Sequence, residues 1–129
     1  MESQKNQPLS TRLRCALQGL RHAVRAEASL KQQALALAAV VAILLWLRPG
    51  AVWWALALLA SGAVLAAELL NTAIEQLADA LHPEQSAAIR TVKDCAAAGV
   101  LMVVLGALGV AVAFLVHLLR THGAALYSS

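Results

Sequence analysis

The chain has 129 residues, is 60% hydrophobic and only 13% charged, and carries a formal net charge of +3. Ordinary soluble domains hold about 25% charged residues, and a mean hydropathy of +0.70 leaves a small integral membrane protein as the class that fits. Nothing in this balance suggests a nucleic-acid partner, because the basic residues sit in a short segment next to apolar runs and not on a broad polar surface.

Residues 1–9 are expected to form a disordered polar tail, with Ser10 capping the helix that follows. Leu13, Ala16, Leu17, Leu20 and Val24 recur at helical spacing while Arg14, Arg21 and Arg25 fall on another face. This predicts an amphipathic surface helix over about 10–27, lying on the inner leaflet against anionic lipid. Six of the ten Lys and Arg residues (Lys5, Arg12, Arg14, Arg21, Arg25 and Lys31) precede residue 34, so no secretory leader is expected and the N-terminus is placed in the cytoplasm.

Glu27 lies at the junction with the first apolar run, between two alanines. That run, 34–47, is shorter than the roughly 20 residues of a span, but a helix drawing in Ala28, Ser29, Leu30 and the snorkelling stem of Lys31 reaches the length. Arg48-Pro49-Gly50 forces an external turn, and Trp46, Trp53 and Trp54 sit where an aromatic belt anchors a membrane surface. The predicted spans are about 28–48, 51–80 and 88–119, with a cytoplasmic loop over 81–90 and an external tail from Arg120. This topology puts eight basic residues inside and two outside, as the positive-inside rule requires.

The second span is the unusual one. Glu68, Asn71, Glu75 and Asp79 fall within an arc of roughly 80° on one side of a helix, in a run that is mostly apolar as far as Leu81. Ionisable groups at membrane depth cost roughly 2.5 kcal/mol or more each and mark functional sites by default. The stripe begins inside the apolar region and climbs toward the cytoplasmic interface, with Glu27 at the depth of its upper part. Carboxylates that meet there need a cation between them, and hard oxygen ligands suit Mg²⁺ that also holds nucleotide phosphates, as in Mg-ATP.

His82-Pro83 should end that helix. Beyond the loop, Lys93 is a point charge beside Asp94 at the start of the third span, placed to neutralise a phosphoryl group. The third span opens with Ala96, Ala97, Ala98 and Gly99 and carries Gly106 and Gly109, small faces that allow close helix contact. Three spans bury little in one protomer, so self-association is expected. Cys15 and Cys95 form no CxxC motif and read as reduced packing residues. Neither a phosphate-binding GxxxxGK[ST] loop nor the protein-kinase signature set is present, and His22, His82, His117 and His122 show no zinc spacing.

The run Glu68-Leu-Leu-Asn-Thr-Ala-Ile-Glu75, followed by Asp79 and then Lys93-Asp94, resembles the bacterial integral-membrane diacylglycerol kinase family, which includes undecaprenol kinases. The likeness extends to Gly19-Leu20-Arg21 and Glu27 and covers about residues 14–117. It implies an all-α membrane protein, a surface helix plus three transmembrane helices, assembled as a homotrimer in the bacterial inner membrane with active sites between protomers. It implies ATP-dependent phosphorylation of a lipid alcohol, with Glu68 as general base and Asn71 as an active-site polar residue. Lys93, Asp94, Glu27, Glu75 and Asp79 would bind Mg-ATP, Glu27 and Glu75 through the metal.

Two positions depart from the family pattern: Gln33 stands where some members have an acid, and Cys15 where some have an aromatic near the nucleotide. Diacylglycerol is the first expectation for the acceptor and undecaprenol the alternative. A small homo-oligomeric proton or cation transporter, of another class, would also use Glu68 and Glu75. It has no use for Glu27 and Lys93-Asp94 at the cytoplasmic edge.

Overall fold

The computed structural model describes residues 8–81, 84 and 86–127, and the elements it describes are four helices: α1 (Leu9–Ala26), α2 (Ala28–Leu47), α3 (Ala51–Leu81) and α4 (Ala87–Tyr127). Three of them, Ala28–Leu47, Ala51–Leu81 and the stretch Ala87–Thr121, are long and apolar enough to cross a membrane. The 31 residues of α3 extend about 46 Å at 1.5 Å per residue. That exceeds the roughly 30 Å hydrocarbon core, so one end of α3 reaches water.

α1 begins one residue earlier than the expected Ser10 cap. Pro8 occupies the N-cap position, and its carbonyl accepts from Thr11 N (3.0 Å) and Arg12 N (3.2 Å), with no side-chain cap. Proline suits a helix entrance because it has no amide hydrogen to satisfy there. Residues 1–7 of the expected tail lie outside the described residues. Leu9, Leu13, Leu17 and Leu20 are exposed along α1, so among the described residues most of its apolar stripe is uncovered.

A single residue, Glu27, separates α1 from α2. Its backbone is extended (φ −105°, ψ 127°), yet its N–H still donates to Ala23 O (2.9 Å) and its carbonyl accepts from Lys31 N (3.4 Å). The helical ladder therefore passes through the elbow with little loss, and the elbow is packed by Ala23 and the fully buried Leu30. At the other end of α2, Arg48 adopts a left-handed conformation (φ 47°) and its N–H caps Leu44 O at 2.9 Å. Pro49 then bars helix continuation, and α3 restarts at Ala51.

The turn between α3 and α4 is shorter than the sequence suggests. α3 ends at Leu81, next to His82-Pro83, which lie outside the described residues, and α4 begins at Ala87. Ser86 is the reason: its hydroxyl accepts from Ile89 N (3.3 Å) and its carbonyl from Arg90 N (3.1 Å), an N-cap that starts the helix inside the expected loop. At its far end α4 continues to Tyr127, where an external tail was expected from Arg120. No proline interrupts this stretch, and the Thr121 hydroxyl turns back onto the carbonyls of His117 (3.1 Å) and Leu118 (3.0 Å) without breaking it.

α3 and α4 form the main packing interface, with α2 laid along α3. Among the described residues the buried apolar side chains are Ala23, Leu30, Leu44 and Ala78, and Thr72 is buried with them. Large apolar residues on α2, α3 and α4 are exposed, including Leu59, Met102 and Leu119. A Cβ added at Gly99, Gly106 or Gly109 would meet nothing within 4 Å. These three glycines of α4 therefore make no close contact among the described residues.

Candidate functional site

Because α3 is unbroken through Leu81, the stripe expected from periodicity exists as one face. Glu68, Asn71 and Glu75 are half-buried on it, and Asp79 at its end is exposed. The stripe is thus exposed at its end next to the α3–α4 turn, at Asp79, and partly covered at the three positions before it.

Each acidic position on the stripe has a hydrogen-bond donor. Gln33 Nε2, from α2, donates to Glu68 Oε1 at 2.7 Å. Asn71 Nδ2, one turn along α3, donates to Glu75 Oε1 at 3.0 Å. Lys93 Nζ, from α4, donates to Asp79 Oδ1 at 2.5 Å and makes an ion pair with it. Two neutral amides serve the deeper carboxylates and a cation serves the outermost. That order follows solvation, since a lysine is far cheaper to keep at the water edge than at depth.

The partner of Lys93 lies across the helix interface, at the end of the stripe where the sequence placed this lysine. Lys93 and Asp94 are neighbours in sequence but about 100° apart around a helix, and the lysine turns to Asp79 on α3 while Asp94 stays exposed. The pair Lys93–Asp79 ties the beginning of α4 to the end of α3 across the short turn. With side chains 32% and 65% exposed, it contributes at most about 1 kcal/mol to stability, so positioning the ammonium is its larger effect.

Glu27 sits at the α1–α2 elbow, half-buried, with no side-chain hydrogen bond among the described residues. Among those residues no group of three or more His, Cys, Asp and Glu side chains gathers to hold a metal. Glu75 keeps its second carboxylate oxygen outside the bond with Asn71. Carboxylate oxygens such as those of Glu27 and Glu75 are of the hard kind that Mg²⁺ takes, an ion commonly held by one or two carboxylates plus substrate phosphates and not by an all-protein cage.

Two amide oxygens, Gln33 Oε1 and Asn71 Oδ1, are buried without a hydrogen-bond partner. Both belong to the amides that serve the deep carboxylates. A buried acceptor left unpaired costs about 1–3 kcal/mol, and native structures concentrate such groups where a ligand or water completes them.

A family model of prokaryotic diacylglycerol kinases matches residues 14–115, from within α1 to near the end of the third apolar helix. The chain belongs to the prokaryotic diacylglycerol kinase family. Membership makes it a lipid kinase of the diacylglycerol or undecaprenol kinase kind, a transferase that uses a nucleotide and a lipid, and with its three apolar helices a multi-pass membrane protein. No curated protein matches the chain significantly.

The sequence marks Gln33 only as standing where some family members have an acid, and does not connect it with Glu68. Period alone held the clue: Gln33 is the one polar residue between Gln32 and Ser61 apart from the Arg48 turn and the tryptophans, and such a residue inside a span needs a partner. Ser86 was legible too, as a serine three residues before an apolar helix position.

Proposed function

We propose that the chain catalyses transfer of the γ-phosphoryl group of ATP to the hydroxyl of a membrane lipid, diacylglycerol being the acceptor, to give phosphatidic acid and ADP. The observation that carries this reading is the polar stripe on α3, a half-buried, amide-bonded carboxylate at one end and an exposed, lysine-paired carboxylate at the other, within a chain of the diacylglycerol kinase family. A lipid hydroxyl approaches from the bilayer and a nucleotide from water, and a stripe running between the two is the geometry that lets them meet.

In this reading Glu68 accepts the hydroxyl proton as the lipid oxygen attacks phosphorus in line with the departing ADP. Its Oε1 is engaged by Gln33, which leaves Oε2 for the substrate. Asn71 holds Glu75 in place. Lys93, steered by Asp79, neutralises charge on the phosphoryl oxygens, and the exposed Asp94 lies at the nucleotide entrance. Glu27 and Glu75 would hold Mg²⁺, which when bound supplies further neutralisation of the phosphates.

The same reading places the N-terminus in the cytoplasm, since the wet end of the stripe, the α1–α2 elbow and the α3–α4 turn must share the ATP side. α1 then lies on anionic inner-leaflet lipid with Leu13 and Leu17 inserted and Arg14 and Arg21 at the headgroups. A homotrimer supplies the contacts that the exposed apolar faces and unused glycines of α4 leave open. Continuous conduction of ions requires polar groups across the whole span, whereas α3 between Ala51 and Ala67 offers only Ser61 and two tryptophans.

The test is phosphorylation by the purified protein in mixed micelles with Mg-ATP, supplied in turn with dioleoylglycerol and undecaprenol, followed by identification of the product. Label in phosphatidic acid supports the assignment. Label in undecaprenyl phosphate alone replaces the acceptor, and cation flux in liposomes with neither product overturns the kinase reading.

A further inference from the structure

Gln33 is where the chain departs from family members that have an acid, and it is also where α2 reaches the stripe. Its bond to Glu68 spans 35 residues of sequence and is, among the described residues, the side-chain hydrogen bond that joins α2 to α3. The carbonyl oxygen of the same amide is buried with no partner, so among the described residues no second hydrogen bond orients the group. A carboxylate only accepts, so the nitrogen is the end of the amide that must face it.

We propose that Gln33 is a positioning residue for Glu68, holding Oε1 so that Oε2 points to the acceptor hydroxyl. This deepens the kinase reading above and rests on Glu68 being the proton acceptor. A neutral donor does this work without adding charge at membrane depth. An acid at position 33 would donate only while protonated, and two such carboxyl groups would compete for one proton; glutamine donates whatever the state of its surroundings. The transfer itself balances without Gln33: the lipid O–H bond breaks, the new O–P bond forms, ADP leaves, and the proton goes to Glu68 Oε2.

The test uses the full-length protein in mixed micelles at saturating Mg-ATP, with whichever of dioleoylglycerol and undecaprenol it phosphorylates. Gln33→Met keeps the length of the side chain and removes the donor. We expect kcat to fall about 10- to 100-fold, the range that loss of alignment at a reacting group produces, with the KM for Mg-ATP within about 2-fold of wild type. In the Glu68→Gln background the same substitution should change the residual rate by no more than about 2-fold, because a residue acting through another has nothing left to position. Gln33→Glu, which preserves size and polarity, serves as the second variant should Gln33→Met fold poorly, and it too should be slowed.

Wild-type kcat in either variant overturns the proposal. So does a loss that multiplies with that of Glu68→Gln, which would mark a role independent of the carboxylate. Wild-type turnover by Glu68→Gln alone would remove the base assignment and this inference with it, and that result is read without touching position 33.

Discussion

The two ends of the three-helix bundle solve opposite problems. Near the α3–α4 turn the helices are joined by polar bonds: Gln33 to Glu68 and Lys93 to Asp79, with Asn71 bracing Glu75 between them. Near the α2–α3 turn they are joined by rings and aliphatic surface. Trp53 packs against Phe114 at 5.0 Å between centroids and against His117 at 5.1 Å, beside an apolar cleft of about 240 Å³ lined by Val40, Leu44, Ala57 and Val110 among others. Apolar packing in a lipid solvent holds helices but aims nothing, since tails compete for the same surfaces. Directional bonds aim side chains at the cost of burying polar groups. In the proposed reading, the end that carries unpaired amide oxygens is the one that carries the chemistry.

Breaking the polar end should cost activity, and breaking the apolar end should cost stability. After Glu68 itself, the largest effect among the polar bonds is expected at Glu75. Glu75→Gln should reduce kcat/KM for Mg-ATP by about 100-fold at limiting Mg²⁺, the order reported by loss of an electrostatic contact to the reacting phosphates, with partial recovery as Mg²⁺ is raised; a Mg²⁺ titration of the initial rate checks it. Lys93→Ala comes next, raising the KM for Mg-ATP about 10-fold, as expected for one charge-assisted phosphate contact.

Asp79→Asn separates the two consequences of the ion pair. It should raise that KM only about 3-fold, because the ammonium remains and loses its guide, and should barely move the melting temperature, since the pair is exposed. At the apolar end, Trp53→Ala should lower the melting temperature by about 2–4 °C through loss of its ring contacts and leave kcat and both KM values unchanged. A kcat defect in Trp53→Ala equal to that of the polar variants would dissolve the contrast between the ends.

Much of this arrangement is legible before any coordinates. Three spans follow from apolar runs and the Arg48-Pro49-Gly50 break, and the stripe of Glu68, Asn71, Glu75 and Asp79 follows from helical period alone, because a long unbroken helix turns spacing into geometry. The elbow at Glu27 also falls where polarity changes. What period cannot supply is the partner across a helix interface. Lys93 reads as Asp94's neighbour until α4 is docked on α3, and Gln33 reads as a lone amide until α2 is. Where α4 begins and ends is set by local signals, Ser86 at its start and the uninterrupted stretch past Arg120, and not by where apolar character stops.

The most direct measurement compares wild type and Glu68→Gln in the same micelles, following transfer of labelled γ-phosphate to dioleoylglycerol and, in parallel, binding of Mg-ATP. We expect turnover to fall by about 100- to 10,000-fold, the span seen when a positioned base is removed, while nucleotide affinity stays within about 2-fold. Undiminished transfer by Glu68→Gln, or loss of nucleotide binding in step with turnover, would contradict the role of the deepest carboxylate.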